Sequence, residues 1–178
     1  MRFTRLAAIG GAAALASTAL AIAAVGSAGA ESDPGASSGP SGVTTVTVLR
    51  TQAAQSAAQA ALDDCAAKGY AVTVSVVNRD GALLALLRNE QALPASVDSA
   101  NGKAYASASF RQPSGNLGAA AANNPGLLQM PGFVVLRGGL PISSGGQVIG
   151  GIGVGGAPGG DIDEACAQAG ITAIADHL

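Results

Sequence analysis

Side chains that could ligate a metal or a cofactor are few in this sequence of 178 residues. It has one histidine, His177, and apart from Met1 one methionine, Met130. A single imidazole excludes metal sites built on a pair of histidines and disfavours a Ser-His-Asp triad. Imidazole and thioether groups both serve as axial ligands of haem iron. A solvated tail residue and a core methionine are the simpler interpretations of the same two residues.

A second group of candidates surrounds one predicted helix. Lys103 and Tyr105 lie on it, and Arg88 and Arg111 flank it. Cationic side chains can pair with carboxylates such as haem propionates, and a tyrosine can ligate haem iron. Ordinary surface charge and a half-buried tyrosine would explain these residues without any ligand. The residues define no metal site, and no nucleophile–base pair that would indicate an enzyme is visible.

Two further motifs have structural explanations. Gly151–Gly156 (GIGVGG) matches G-x-G-x-x-G, but no βαβ unit follows it, so a dinucleotide site is not indicated. Alternate glycines instead leave one face of a strand bare, which suits a closely packed helix or a flat ligand. Asp161, Asp163 and Glu164 cluster where a helix is predicted to begin, and negative charge there offsets the helix dipole. A cation site is the alternative interpretation.

The first thirty residues have the layout of a secretory signal peptide. Arg2 and Arg5 precede an uncharged stretch over residues 6–25, and Ala28-Gly29-Ala30 matches a cleavage site. We expect cleavage after Ala30 and a secreted, extracellular protein, with an uncleaved membrane anchor as the alternative. Removing Arg2 and Arg5 from the nine cations leaves seven against eleven carboxylates, a net charge of about −4 without a basic patch. Nucleic acid is therefore not an expected partner.

The two cysteines, Cys65 and Cys166, each lie in a predicted helix. An even number of cysteines in an exported chain suggests a disulfide. A bridge closing a loop of about 100 residues can stabilise a fold by up to about 4.7 kcal/mol. Two buried free thiols are the alternative.

The pattern along the chain predicts a linker followed by one domain. Residues 31–46 are rich in Ser, Gly and Pro and are expected to form a disordered linker, and residues 47–178 are expected to form the domain. The predicted elements are a helix from Thr47 or Thr51 to Gly69, strands over 70–78 and 82–88, helices from Ser96 and Ser114, strands over 133–136, 138–142 and 147–156, and a helix from Asp161. This order predicts an α/β fold with a central antiparallel sheet flanked by helices.

Taken in order, these segments resemble the GlcG/HbpS-like family. Residues 72–88 (VTVSVVNRDGALLALLR) are similar to its opening hairpin, and residues 99–110 (SANGKAYASASF) to its central helix. Residues 146–170 (GQVIGGIGVGGAPGGDIDEACAQAG) are similar to its last strand and helix. The resemblance extends over residues 49–174, and the exported HbpS type is closest in character.

The resemblance implies a profilin-like α/β fold, a homo-oligomer, and extracellular haem binding linked to haem or iron sensing or handling. It leaves the ligand contacts open. The candidates are Arg88, Lys103, Tyr105, Met130 and His177. Two other functions remain open: a non-catalytic oligomer that docks on the ectodomain of a membrane sensor, and an enzyme acting on a small organic substrate.

Overall fold

The computed structural model describes Gly42 and residues 44–178. The predicted signal peptide and all of the predicted linker up to residue 41 lie outside the described residues. Val43–Leu178 forms one compact unit. Among the described residues, no helix combines the length and the hydropathy needed to cross a membrane.

The helices and strands follow one another in an order close to the predicted one. The α-helices are α1 (Thr51–Ala67), α2 (Ser96–Phe110), α3 (Ser114–Ala121) and α4 (Gly160–Ala173). The strands are β1 (Thr73–Asn78), β2 (Leu83–Arg88), β3 (Gly139–Ser144) and β4 (Gln147–Gly155). Short 3₁₀ helices cover Pro125–Gln129 and Ala175–His177.

The four strands form one sheet in the order β2-β1-β4-β3, and every neighbouring pair is antiparallel. Helices α1 and α4 pack on one face, where Val74 and Val76 join Ile152 and Val154 in the main core. Helix α2 covers the other face, where Thr73 of β1 shares a hydrogen bond with Ser96. The predicted α/β class, an antiparallel sheet flanked by helices, is confirmed.

Small residues allow the layers to approach to backbone contact. On β4, a methyl group at Gly151 would lie 2.5 Å from the carbonyl oxygen of Ala104 in α2. A methyl group at Gly170 in α4 would lie 2.5 Å from the carbonyl oxygen of Ala57 in α1. The bare face of β4 is therefore filled by a closely packed helix, which is the structural interpretation of the GIGVGG motif.

The prediction of a strand over residues 133–136 is wrong. This segment has no regular secondary structure and crosses α2 instead of joining the sheet. The backbone N–H of Val134 donates a hydrogen bond to the carbonyl oxygen of Gly102, 3.2 Å away. Gly102 lets the segment lie on the helix, because a methyl group there would come within 2.5 Å of Cγ2 of Val134. The run is extended and apolar, but its partner is a helix.

The structure contains the predicted disulfide. Cys65 of α1 and Cys166 of α4 are fully buried and bonded, with their Cα atoms 5.6 Å apart. The bond joins the two helices that cover the same face of the sheet. It therefore connects elements near the two ends of the compact unit.

Candidate functional site

A buried ion pair lies between the central helix and the last helix. The ammonium of Lys103 on α2 donates to Oδ2 of Asp163 on α4 at 2.6 Å and to the carbonyl oxygen of Val154 on β4 at 2.9 Å. Only 3% of the Lys103 side chain and 4% of the Asp163 side chain is exposed. The pair therefore connects α2, β4 and α4 in an environment where charge is costly unless it is paired.

The second oxygen of Asp163 is also occupied. Its Oδ1 accepts a hydrogen bond from the backbone N–H of Ala157, at 3.1 Å. Burial raises the pKa of Asp163 above its ordinary value, and the hydrogen bond and charge of Lys103 and the N–H of Ala157 only partly offset this. The carboxyl is thus held in place by two donors although desolvation opposes its charge.

Two consecutive glycines make room for the ion pair. Gly138 has a φ of +116°, and a methyl group there would lie 2.9 Å from Nζ of Lys103 and 2.7 Å from Cβ of Asp163. A methyl group at Gly139 would overlap the carbonyl oxygen of Lys103. The Gly138-Gly139 pair therefore lets the start of β3 pass directly over the ion pair.

A cavity of about 610 Å³, here called the ion-pair cavity, opens beside Lys103 and Asp163. At its rim Arg137 pairs with Glu164 at 2.6 Å, and this exposed pair raises the pKa of Arg137. The lining residues are Ser99, Lys103, Leu136, Arg137, Gly156, Ala157, Pro158, Gly160, Asp161 and Asp163. Among the described residues, every buried polar side-chain atom has a hydrogen-bond partner. The charges of Lys103 and Asp163 are therefore both satisfied by partners within the fold.

A second cavity, of about 430 Å³, lies where the chain enters α1 and where it ends; it is called the terminal cavity below. Leu49, Ile149 and Ile174, all buried, supply apolar walls. Arg50 and His177 supply a guanidinium and an imidazole. The remaining lining residues are Thr47, Val48, Gln52, Ala53, Ser56, Ser144, Ala173 and Leu178. Apolar walls with a few polar groups are typical of small-molecule sites of this size.

The structure separates the five candidate ligand residues. His177 lines the terminal cavity and Lys103 lines the ion-pair cavity, while Arg88, Tyr105 and Met130 line neither of these two. Arg88 is exposed, and its guanidinium donates to the carbonyl oxygen of Ala92. The five residues therefore do not form one site within a single copy of the chain.

Tyr105 belongs to an aromatic cluster. Its ring stacks on Phe133 with centroids 4.8 Å apart, and Phe110 meets Phe133 edge-on at 5.5 Å. The ring also lies against Gly81, where an added methyl group would overlap it. Met130 is in the loop that leads to Phe133 and is 38% exposed. This cluster positions the loop after α3 and explains Tyr105 by packing.

The residues that surround Lys103 and His177 in the folded chain could not be predicted from the sequence. Asp163 was interpreted as part of a helix-start cluster, although it is buried opposite Lys103, sixty positions away in sequence. Exposed Asp161 and buried Asp163 differ by two positions in the same helix turn, and no local signal distinguishes them. Arg50 was not singled out, because only the folded chain brings it near the C-terminus.

Comparison with known proteins gives one family match. The family model described as "Haem degrading protein HbpS-like" matches residues 49–172. No curated protein matches the sequence.

Three solved structures illustrate the relationship. A double mutant of HbpS from Streptomyces reticuli is 42% identical, with a TM-score of 0.71 over 73% of this chain and 89% of that one. The protein ORFY of Klebsiella pneumoniae is 28% identical, with a TM-score of 0.72 over 76% and 96% of the two chains. PduOC, solved as a haem complex, is 23% identical, with a TM-score of 0.67 over 72% and 96%. At that identity PduOC is similar in fold alone.

Proposed function

We propose that this chain, which belongs to the HbpS-like family, binds haem. The observation that carries the proposal is the family match over residues 49–172, nearly the whole compact unit. The family's description names haem as the molecule on which its members act. PduOC, which has a similar fold, is known in complex with haem, so this fold is compatible with such a ligand.

The described residues include side chains of the types that a haem site requires. A flat apolar ring needs apolar walls, its propionates need donors or cations, and its iron needs a ligand. The terminal cavity combines apolar Leu49, Ile149 and Ile174 with Arg50 and His177. Bound haem supplies a redox-active iron centre, and this chain's side chains supply ligation, anchoring and exclusion of water. The haem-binding proposal is therefore compatible with the chemistry of the side chains present.

The finer parts of the proposal concern place and assembly. We place the mature protein outside the cell, on the signal-peptide pattern that ends at Ala30. The Cys65–Cys166 disulfide supports this, because such bonds persist in oxidising compartments. We infer that the protein forms a homo-oligomer. Its inferred role is to handle haem or iron, or to present haem to the ectodomain of a sensor. N-terminal sequencing of protein recovered from the culture medium should begin at Glu31, and light scattering should give a mass above that of one chain.

Haem titration tests the central proposal. The purified protein is titrated with ferric haem and followed by absorbance in the Soret region. We expect a saturable shift at a fixed stoichiometry of haem to chain. The same protein unfolded in urea is the control, because unspecific association of haem with apolar surface would survive unfolding. A spectrum identical to that of free haem in buffer would refute haem binding.

A further inference from the structure

We propose that the outer edge of β2 is a self-association surface, at which the sheets of two copies of this chain join by antiparallel β2–β2 pairing. This inference rests on the homo-oligomer inferred above and adds the surface that forms it. The sheet has two outer strands, β2 and β3. The backbone groups along the edge of β3 are blocked, whereas those along the edge of β2 are open to a partner.

The edge of β3 is closed to a further strand. In its ladder with β4, the N–H of Val154 donates to the carbonyl oxygen of Gly138 at 2.9 Å. Because successive residues of an antiparallel strand face opposite sides, the backbone groups of Gly139 and Pro141 point away from β4. The outward N–H of Gly139 donates to Oγ of Ser114 at 2.9 Å, and Pro141 has no N–H to donate. A second strand therefore finds no free donors along this stretch.

The edge of β2 has no such protection. The N–H of Asn89, just after β2, donates to the carbonyl oxygen of Val72 at 3.0 Å, and alternate residues of β2 continue this ladder with β1. The backbone groups of Leu86 and Arg88 therefore point away from β1. Within the part of the chain that the structure describes, no hydrogen bond from another segment reaches them. The strand thus presents free donors and acceptors at the spacing that a second strand requires.

The side chains beside this edge are apolar and incompletely covered. Leu83 and Leu86 lie opposite Val77 and Ser75, on the face of the sheet against which α2 packs. Helix α2 packs mainly on β1, β3 and β4, and β2 lies beyond it. Leu83 is accordingly 53% exposed, and Leu86 is half-buried. Pairing of two β2 edges would bring these leucines of both copies together and remove them from water.

The sequence around β2 favours a second copy of the same strand as the partner. Residues 83–87 (LLALL) read the same in both directions, so two antiparallel copies place leucines against leucines. The exposed Arg88 ends the strand, and the exposed Asp80 lies in the turn before it, 3.9 Å from Arg79. Antiparallel pairing brings Arg88 of each copy towards Asp80 of the other, whereas parallel pairing would bring like charges together. Because the β3 edge is closed, the sheet joins two copies and does not extend further.

Variants of Leu86 test the surface. Leu86→Pro copies onto β2 the feature that closes β3, because it removes an outward N–H and leaves the bonds to β1 in place. Leu86→Lys puts a charge beside the same edge. Light scattering over a dilution series should show two chains, or a multiple of two, for the wild type. We expect both variants to associate at least about tenfold more weakly, with the far-ultraviolet circular dichroism of the wild type. Leu136→Lys, at a 63% exposed leucine outside the sheet, is the matched control and should associate normally.

Amide hydrogen exchange examines the same edge directly. In the associated wild type, the N–H of Arg88 should exchange at least about tenfold more slowly than in Leu86→Lys, because pairing gives it an acceptor. The N–H of Leu87, which faces β1, is the internal control and should be equally protected in both proteins. Fast exchange at Arg88 in the associated wild type, or unchanged association in both Leu86 variants, would overturn the assignment to β2.

An exchange of charges identifies the partner as a second copy. Arg88→Glu should weaken association by about threefold to tenfold, and adding Asp80→Lys should restore it, because the two reversed charges meet across the interface. A foreign strand on this edge would give no such restoration, and its absence would refute the antiparallel β2–β2 pair. A wild type that stays monomeric would refute the pair and the homo-oligomer together. Haem titration is independent of this result, so a monomer that binds haem would leave the haem proposal standing.

Discussion

Replacing Lys103 by methionine should destabilise the protein in a strongly pH-dependent way. Methionine keeps most of the apolar stem, so the main change is that the carboxyl of Asp163 loses its cation. At pH 7 that carboxyl must stay charged without a cation or take up a proton. Protonation from its ordinary pKa of 3.8 costs at most about 4 kcal/mol at pH 7, which limits the loss.

At pH 4 most of this penalty disappears, because protonating a carboxyl whose ordinary pKa is 3.8 then costs only about 0.6 kcal/mol. What remains is the lost hydrogen bond to the carbonyl oxygen of Val154, worth about 1–2 kcal/mol. We therefore expect the destabilisation by Lys103→Met to be larger at pH 7 than at pH 4 by about 2–3 kcal/mol. Urea denaturation followed by far-ultraviolet circular dichroism at the two pH values measures both differences.

Two further variants make the measurement decisive. The double variant Lys103→Met with Asp163→Asn has no charge at this position, so the additional loss at pH 7 should vanish. Lys68→Met removes an exposed partner of Asp64 on α1 and should cost under about 1 kcal/mol at either pH. An equal loss at pH 4 and pH 7 for Lys103→Met would show that packing, and not charge, explains the role of Lys103.

Three other expectations follow from the same contacts. Reducing the Cys65–Cys166 disulfide, which closes a loop of 101 positions, should lower the free energy of unfolding by about 2–5 kcal/mol; an unchanged urea midpoint would contradict this. The Gly153→Ala variant should cost about 1–3 kcal/mol in the same assay, because its methyl group would meet the backbone of α2, and full stability would show that the helix can move away from β4. Burial raises the pKa of Asp163, so this carboxyl contributes stability below its ordinary pKa and loses it as the pH rises through the raised value. Carbon-13 NMR should place its titration midpoint above 3.8, and still higher in Lys103→Met; a midpoint below that value would mean that pairing outweighs burial.

Sequence patterns predicted those strands that pack against a regular neighbour along their whole length. The alternation of Val72, Val74 and Val76 with polar residues identified β1, and its apolar side faces the core. The bare glycine face of β4 predicted close helix packing, which α2 provides. Period-two and small-residue patterns predict such contacts because a regular neighbour imposes the same requirement at every second residue.

No comparable pattern in the sequence indicates contacts between single residues that are far apart along the chain. Residues 133–136 are as apolar as a strand, but the hydrogen bond of Val134 goes to Gly102 of a helix. Lys103 and Asp163 are sixty positions apart in sequence, and the residues next to either one do not indicate an ion pair. In each case one residue meets one partner, so there is no period to detect and the pairing depends on the tertiary arrangement.

The residues that hold the fold together are different from the residues that line the terminal cavity. The segments by which the chain resembles its family are occupied by packing: Gly151 lies against α2, and Lys103 and Asp163 satisfy each other. The terminal cavity is built differently, because Arg50 and His177 lie at the two margins of the compact unit, where few layers constrain them. A shared fold therefore does not determine the ligand contacts, which is why they must be established on this chain's own residues.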